Sequence, residues 1–472
     1  KMKHLYITLV FSLVYFLCVG PVSVRAEVFN VSTAEELRTA LSAAATNGED
    51  DTIVIADGEY KTTDDGGGTF NYVSNESYSL KLEGSHRDNV ILSGDNLDQV
   101  LKHNTSAASS TLILTNITIV DGTNVTSEGL NGGGIYTKYH IEIESSAFYR
   151  NSAVLVEIAP SSFRSTGGGG FYAGSASVSD SLFVDNFGYT WGGGFKSIGE
   201  VVVVRSVFEG NTTEVGVIYG YGGGIWAKEA SIKDTRFDSN YAGYGAAIYA
   251  ETATIKRSTF TDNAAVPTGT IQTSLGGEIS NSLMEGNRGG DGFCVYSGNS
   301  IQISNSLFVN NRDNEDILYG GERSSFPCLI LNEELGEKTI INSIFLNNNE
   351  TEIAGTVTAV IELWNNYVDP GKVTMDFVGD FDGNSNVFAG VHLGFKNREA
   401  SNYRLDESSD LRDAGKIDIS LDLGETDLDD NDRIVGSSVD IGPYEYFLDS
   451  DGDGVGDNAD AFPNDAGETI DT

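Results

Sequence analysis

The stretch Ser146-Ala147-Phe148-Tyr149-Arg150-Asn151 decides the fold, because the phrase it spells returns seven more times. The phrase is Ser or Thr, any residue, Phe (once Met), two residues, then Asn. Later copies centre on Phe183/Asn186, Phe208/Asn211, Phe237/Asn240, Phe260/Asn263, Met284/Asn287, Phe308/Asn311 and Phe345/Asn348. The steps between them are 35, 25, 29, 23, 24, 24 and 37 residues. A repeat of this length builds a solenoid, in which each coil buries its apolar face only by stacking on its neighbours.

Working outward, most coils begin with a Gly-rich corner and an apolar residue. Gly132-Gly133-Gly134-Ile135, Gly168-Gly169-Gly170-Phe171, Gly192-Gly193-Gly194-Phe195 and Gly222-Gly223-Gly224-Ile225 are the clear copies, with Gly245-Ala246-Ala247-Ile248 a weaker one. A second strand alternates apolar and polar, as in Ile301-Gln302-Ile303, so that one face turns inward. The Ser-x-Phe stretch is the third strand. Three short strands per coil predict an all-β, right-handed parallel β-helix solenoid. In such a coil Phe fills the bore, Gly supplies positive φ at a corner, and Asn stacks on Asn while tolerating a left-handed turn.

The two ends differ from this pattern. Lys1 and Lys3, the apolar run Leu5 to Val19, and Val24-Arg25-Ala26 read as an export signal cleaved after Ala26. Ser32-Thr33-Ala34-Glu35 has capping-box spacing, with Leu37 and Leu41 following on one face; a short helical cap over the open end of the solenoid is expected. Cys294 and Cys328 lie 14 and 17 residues before their repeat Phe, so an insertion of about three residues near Glu334 to Lys338 places them at the same point on neighbouring coils, a distance that suits either a disulfide or two stacked thiols. The expected division is 1–26 signal, 27–398 β-helix, 399–447 closing segment and 448–472 acidic tail.

The pairing of Gly-Gly-x-(Ile/Phe) with Phe-x-x-Asn over roughly residues 130–350 resembles the repeats of chlamydial polymorphic outer-membrane proteins. It also resembles bacterial exported β-helix proteins of the pectate-lyase-like superfamily. The first are surface adhesins with a membrane barrel, which this sequence does not show. Tyr403-Arg404-Leu405, Leu411-Arg412-Asp413-Ala414-Gly415, Asp432-Arg433 and Val439-Asp440-Ile441-Gly442-Pro443-Tyr444-Glu445 are similar to the closing segment of bacterial choice-of-anchor β-helix proteins. The resemblance implies a piece that caps the last coil and precedes a surface anchor.

Composition narrows the chemistry. With 69 acidic and 29 basic residues, the net charge of −40 repels nucleic acid and anionic membrane. The four His beyond the signal (His86, His103, His140, His392) lack zinc-site spacing. Asp449-Ser450-Asp451-Gly452-Asp453-Gly454-Val455-Gly456-Asp457-Asn458-Ala459-Asp460 places carboxylates at loop positions 1, 3, 5, 9 and 12 with Gly at 6. That spacing suits Ca2+, with Asp449, Asp451, Asp453, Asp457, Asp460 and the Val455 carbonyl as ligands. The loop resembles a thrombospondin type 3 repeat.

Two further features carry function. Three residues before the repeat Phe, successive coils hold Asp180, Arg205, Asp234 and Arg257, then Asn281, Asn305 and Asn342. This column reads either as a charge ladder fixing register or as a lyase-like site, with Asp holding Ca2+ and Arg drawing a proton. Around the Gly corners lie Tyr189, Trp191, Tyr219, Tyr221, Tyr241 and Tyr244, followed by Tyr136, Tyr172, Trp226 and Tyr249. Of these, Tyr189, Trp191, Tyr219, Tyr221, Trp226 and Tyr244 are the candidate ligand-binding set, able to stack on sugars or to pack over the turns. The sequence therefore favours an exported, calcium-stabilised, monomeric protein that binds a polysaccharide or cell-surface ligand. The alternative is a lyase or hydrolase of an acidic polysaccharide.

Overall fold

The computed structural model describes residues 26–126, 132–155, 167–214, 220–290, 293–313, 328–331, 338–348, 353–355, 361–368, 391–417, 423–451, 457, 462–465 and 467. The export signal lies outside the described residues. Within them, strands of successive coils pair in parallel and form sheets of 21, 12 and 8 strands. The chain is a parallel β-helix, as its repeat predicts.

The Phe strands make the 12-stranded sheet, with Phe148, Phe183, Phe208, Phe237, Phe260, Met284, Phe308 and Phe345 in register. Neighbouring Phe rings stack at 4.7 to 5.0 Å between centroids and are fully buried. The Asn ladder beside them leaves no amide atom idle. Asn186 Oδ1 accepts both the backbone N–H and the Nδ2 of Asn151, each at 3.0 Å. Asn186 Nδ2 donates to Asn211 Oδ1 and to the Phe148 carbonyl, each at 2.9 Å. The pattern continues to Asn348, so each buried amide uses its donors and acceptor within the wall. The repeat Ser or Thr forms a second ladder: Ser181 Oγ accepts from the Ser146 N–H and donates to the Ser179 carbonyl.

Three details depart from the expectations. The left-handed residues are not the Asn. They are the residues just before it, such as Arg150 (φ 52°) and Asp185 (φ 55°), and the residues three before Phe, such as Asp180 (φ 52°). The chain must turn before the Asn so that its amide can point inward. Second, the Gly-corner strand and the alternating strand belong to one sheet, because the link Lys138-Tyr139 holds no left-handed residue, whereas the equally short link Ser145-Ser146 turns into the Phe sheet at Ser145 (φ 50°). In later coils they fuse into single strands, Ile225–Lys233 and Ile248–Lys256. The third sheet comes instead from short strands after the Asn. The Gly corner behaves as expected: Gly168 has φ +79°, and a Cβ there would lie 2.1 Å from the Phe171 carbonyl oxygen.

Third, the helix Ala34–Ala44 is capped one residue later than the spacing suggested. Thr33 Oγ1 accepts the Glu36 N–H, and Glu36 reaches back to the Ser32 N–H. That register turns Ala34, Leu37, Ala40, Leu41 and Ala44 inward, against the first coils. Cys294 and Cys328 stack on adjacent coils and form a disulfide, Cα atoms 5.0 Å apart.

The closing segment does not simply cap an end. Its hairpin, Phe395–Asn397 with Asn402–Leu405, and the chain after it lie along the outer side of the Phe sheet. Tyr403, Leu405, Leu411, Ile441 and Tyr444 bury Leu283, Leu307, Val309, Ile344 and Leu346 in a second apolar core. The reason is visible in those coils: Leu283, Leu307 and Ile344 before the repeat Phe or Met, and Val309 and Leu346 after it, are apolar, so this outward face needs cover.

Candidate functional site

The sequence-derived candidates separate into three places. The charged column is paired within itself. Arg205 holds Asp180 in a two-point ion pair at 2.8 Å for both contacts, and Arg257 holds Asp234 at 2.7 and 2.8 Å. The Arg205 guanidinium keeps the Asp180 carboxyl below the usual range. Arg257 is also covered by the closing segment, bonding Thr426 Oγ1 and the Asp430 carboxylate. With left-handed backbone at every position, the column behaves geometrically as a row of corners joined by ion pairs.

The calcium-loop residues are described in part. Asp457 N–H donates to the Leu448 carbonyl at 2.7 Å, and its carboxylate accepts from the Ser450 N–H and Oγ, so the loop closes on itself. Asp449 and Asp451 lie on this closed loop, whose oxygen-only donor set fits Ca2+. Asp453, Val455 and Asp460 lie outside the described residues.

The aromatic candidates do come together, on the outer side of the long sheet. Trp191, Tyr221 and Tyr244 are bridged in register and stack at 4.7 and 4.8 Å. Trp226 meets Trp191 edge-on at 5.0 Å, and Tyr249 meets Tyr221 the same way. Tyr219 lies outside the described residues, and Tyr189 is half-buried in the same loop system. Because the rings stack on one another along the helix axis, both faces of Tyr221 and one face each of Trp191 and Tyr244 are covered by a neighbouring ring, which limits how a sugar could stack on them.

A second column runs beside this one, at the residue after each corner. In register it reads Asn71, Lys102, Tyr136, Tyr172, Lys196, Trp226, Tyr249, Gln272, Tyr296 and Ile330. It contains no acidic residue, in a chain where acids outnumber bases by more than two to one. Burial raises the hydroxyl pKa of Tyr136, Tyr172 and Tyr249, so these remain protonated donors.

Lys196 is the residue that sequence reading missed. Its ammonium lies 5.6 Å from the Tyr172 ring centroid and 5.3 Å from those of Trp191 and Trp226. Only 7% of the residue is exposed, and burial pushes its pKa down to about 8. Cation–π attraction from three rings takes the place of a carboxylate partner. The signal was present: Phe195-Lys196 occupies the same two positions as Phe171-Tyr172 and Ile225-Trp226. His103, by contrast, is a core residue. It stacks on Tyr72, contacts Thr137 Oγ1 at 3.0 Å, and burial lowers its pKa to about 4.

No helix among the described residues is long and apolar enough to cross a membrane. No family model matches the chain, and no curated protein sequence matches it. Among solved structures, it is similar to a PL6 family alginate lyase, AlyGC, with 14% identity and a TM-score of 0.40, over 85% of this chain and 60% of that one. It is also similar to a mannuronic acid specific polysaccharide family 6 lyase enzyme from human gut microbiota, with 12% identity and a TM-score of 0.32, over 76% of this chain and 92% of that one. The chain thus spans 60% of the length of the first.

Proposed function

We propose that this chain is an exported β-helix protein that holds an extended polysaccharide along the outer side of its long sheet. The observation that carries the reading is the acid-free column from Asn71 to Ile330, one residue per coil. A surface of net charge −40 that keeps one continuous line free of carboxylates offers a polymer a path without repulsion. Tyrosine hydroxyls along that line donate hydrogen bonds, and Lys102 and Lys196 supply positive charge for an acidic sugar. The protein acts as a monomer, its tail loop closed by Ca2+ through Asp449, Asp451, Asp453, Val455, Asp457 and Asp460.

The test is binding of pectate, alginate and neutral glucans to the chain, with and without Ca2+, measured by calorimetry. Trp226→Ala is expected to weaken binding at least tenfold, and Asp180→Asn to leave it unchanged. Absence of binding to every glycan sinks the proposal.

One observation favours a second reading, polysaccharide β-elimination. An amine with a pKa near 8 is a competent base near neutral pH, able to take the proton next to a uronate carboxylate. Arg205 and Arg257 are held by their Asp partners, so Lys196 replaces them as the candidate. Unsaturated sugar ends released from pectate or alginate, lost in Lys196→Met and kept in Arg205→Ala, would favour catalysis over binding alone.

A further inference from the structure

At the first coil, three carboxylates from separate pieces of chain converge. Glu27 precedes the first strand, Glu49 lies in the loop after the helix, and Asp51 opens the strand Asp51–Ile55. One carboxylate oxygen from each lies within 4.8 Å of the other two. Asp51 is the unusual member. It is 3% exposed, and its Oδ2 is buried without a hydrogen-bond partner. A buried carboxylate normally has each oxygen satisfied, or sits beside a cation.

The charged groups acting on Asp51 are Glu49, Glu27 and Asp50, all negative. One neutral donor serves the whole group: Asn47 Nδ2, at 2.8 Å from Asp51 Oδ1, 3.3 Å from Glu27 Oε2 and 3.5 Å from Glu49 Oε1. A single amide cannot neutralise three carboxylates. It also sits where a cation would be held, and turning the amide over would present its oxygen to the same point.

We propose that Glu27, Glu49, Asp51 and the Asn47 amide oxygen form a Ca2+ site that staples the start of the solenoid. The donors are all oxygen, with no His or Cys, which selects a hard cation. Donors gathered from the residue before the first strand, a loop and a strand suit the adaptable coordination of Ca2+ better than the strict octahedron of Mg2+. The bound ion would tie residue 27 to both ends of the 49–51 turn and close the coil that the helix covers. This site is independent of the glycan strip and of the tail loop.

The test uses the full chain carrying Asp449→Asn, Asp451→Asn and Asp457→Asn, so that the tail does not contribute. Calorimetry with CaCl2 is expected to find one remaining site, lost in Asp51→Asn. The thermal midpoint gives a second measurement with opposite signs. In chelator, Asp51→Asn should raise the midpoint, because it removes a repelled buried charge. In excess Ca2+ the same change should lower the midpoint relative to its parent. A shift of the same sign in both conditions overturns the proposal, as does a Ca2+ stoichiometry that Asp51→Asn leaves unchanged. An equal response to Mg2+ overturns the choice of ion. Should Asp51→Asn fail to fold, Glu49→Gln, on a half-exposed side chain, carries the same two measurements.

Discussion

The coils of Phe183, Phe208 and Phe237 and the coils of Met284, Phe308 and Phe345 share one sheet but meet different surroundings. Inside, they are alike, with the same Phe or Met column and the same Asn ladder. Outside, the earlier coils turn Leu182, Val207 and Arg236 partly to water, while the later ones bury Leu283, Leu307 and Ile344 under the closing segment. The corner three residues before Phe shows the contrast best. Its backbone is left-handed throughout, with φ 48–52° from Asp180 to Arg257 and 45–51° from Asn281 to Asn342. The fold therefore demands the conformation, and the surroundings choose the side chain. Beside water the corner carries Asp or Arg and pairs along the axis. Beneath protein it carries Asn, whose Nδ2 donates to carbonyls of the covering chain: Leu423 from Asn281 and Asn305, Lys416 from Asn342, Ala414 from Asn365.

The largest expected difference between the regions lies in apolar burial. Leu307→Ala should cost about 2–5 kcal/mol, as large-to-small changes in a core do. Val207→Ala, at the equivalent place in the uncovered coils, should cost under about 1 kcal/mol, in the range of surface changes. Urea unfolding of both variants checks the pair. Similar losses would mean that the closing segment rests on the sheet without relying on it.

Next comes a difference in pH response. Arg433 and Glu445 are paired at 3.3 Å inside the closing segment, both almost fully buried. Asp427 and Asp440 lie in the same interior, so one guanidinium faces three carboxyls. Burial, before any other cause, pushes Glu445 from its ordinary 4.5 to about 8 and also raises Asp427 and Asp440. A carboxyl with a raised folded-state pKa takes up a proton on folding, so its contribution is greatest below 4.5 and is lost as pH rises toward 8. In the uncovered coils the sign reverses. Asp180 is lowered by Arg205, and its contribution disappears only as pH falls below the ordinary carboxylate range. Hydrogen exchange should find the closing segment better protected at pH 5 than at pH 8.5, with no contribution from the Asp180–Arg205 corner over that interval. Equal protection of the closing segment at both pH values would mean that Glu445 stays ionised beside Arg433.

A smaller effect isolates the corner itself. Glycine relieves the left-handed backbone equally in both regions, so Asn281→Gly and Asp180→Gly differ only in what the side chain does. Asn281→Gly removes one of the two buried donors to the Leu423 carbonyl and leaves Asn305 as its remaining side-chain partner, at a cost of about 0.5–1.5 kcal/mol. Asp180→Gly should stay within about 0.5 kcal/mol, as exposed positions do. Urea midpoints measured side by side decide the point.

Much of this contrast stood in the sequence. The Phe, Asn and Gly positions were legible because a ladder requires the same residue at the same place in every coil. The change from Asp and Arg to Asn after residue 257 was visible as well, but its meaning was not, because the covering chain comes from some 140 positions downstream. The partition of strands between sheets was not legible for a related reason: two-residue links precede both the alternating strand and the Phe strand, and only the second holds a left-handed residue that turns the chain. At the candidate site, the residues after each Gly corner announced an aromatic line. That rings of this line cover faces of one another depends on coil stacking at about 4.8 Å, which residue type alone does not convey. Lys196 was passed over because a lone lysine among tyrosines reads as surface until its neighbours are known. The cluster of Glu27, Glu49 and Asp51 was hidden because a helix separates its members.

The smallest predicted effect bears most directly on the choice between ladder and active site. Arg205 is exposed and holds Asp180 across one coil step, and exposed ion pairs contribute little once water and salt screen them. Arg205→Ala should therefore leave the urea midpoint unchanged within error and leave glycan binding unchanged. Arg257 occupies the boundary between the two regions, 12% exposed as a side chain and bonded to Asp234, Thr426 and Asp430. Arg257→Ala should lower the midpoint and speed proteolysis of the closing segment, because it frees the first point at which that segment grips the solenoid. If Arg205→Ala instead abolished binding or turnover while folding stayed intact, the charged corners would be chemistry rather than architecture, and the polysaccharide would run along the Phe sheet instead of the aromatic strip.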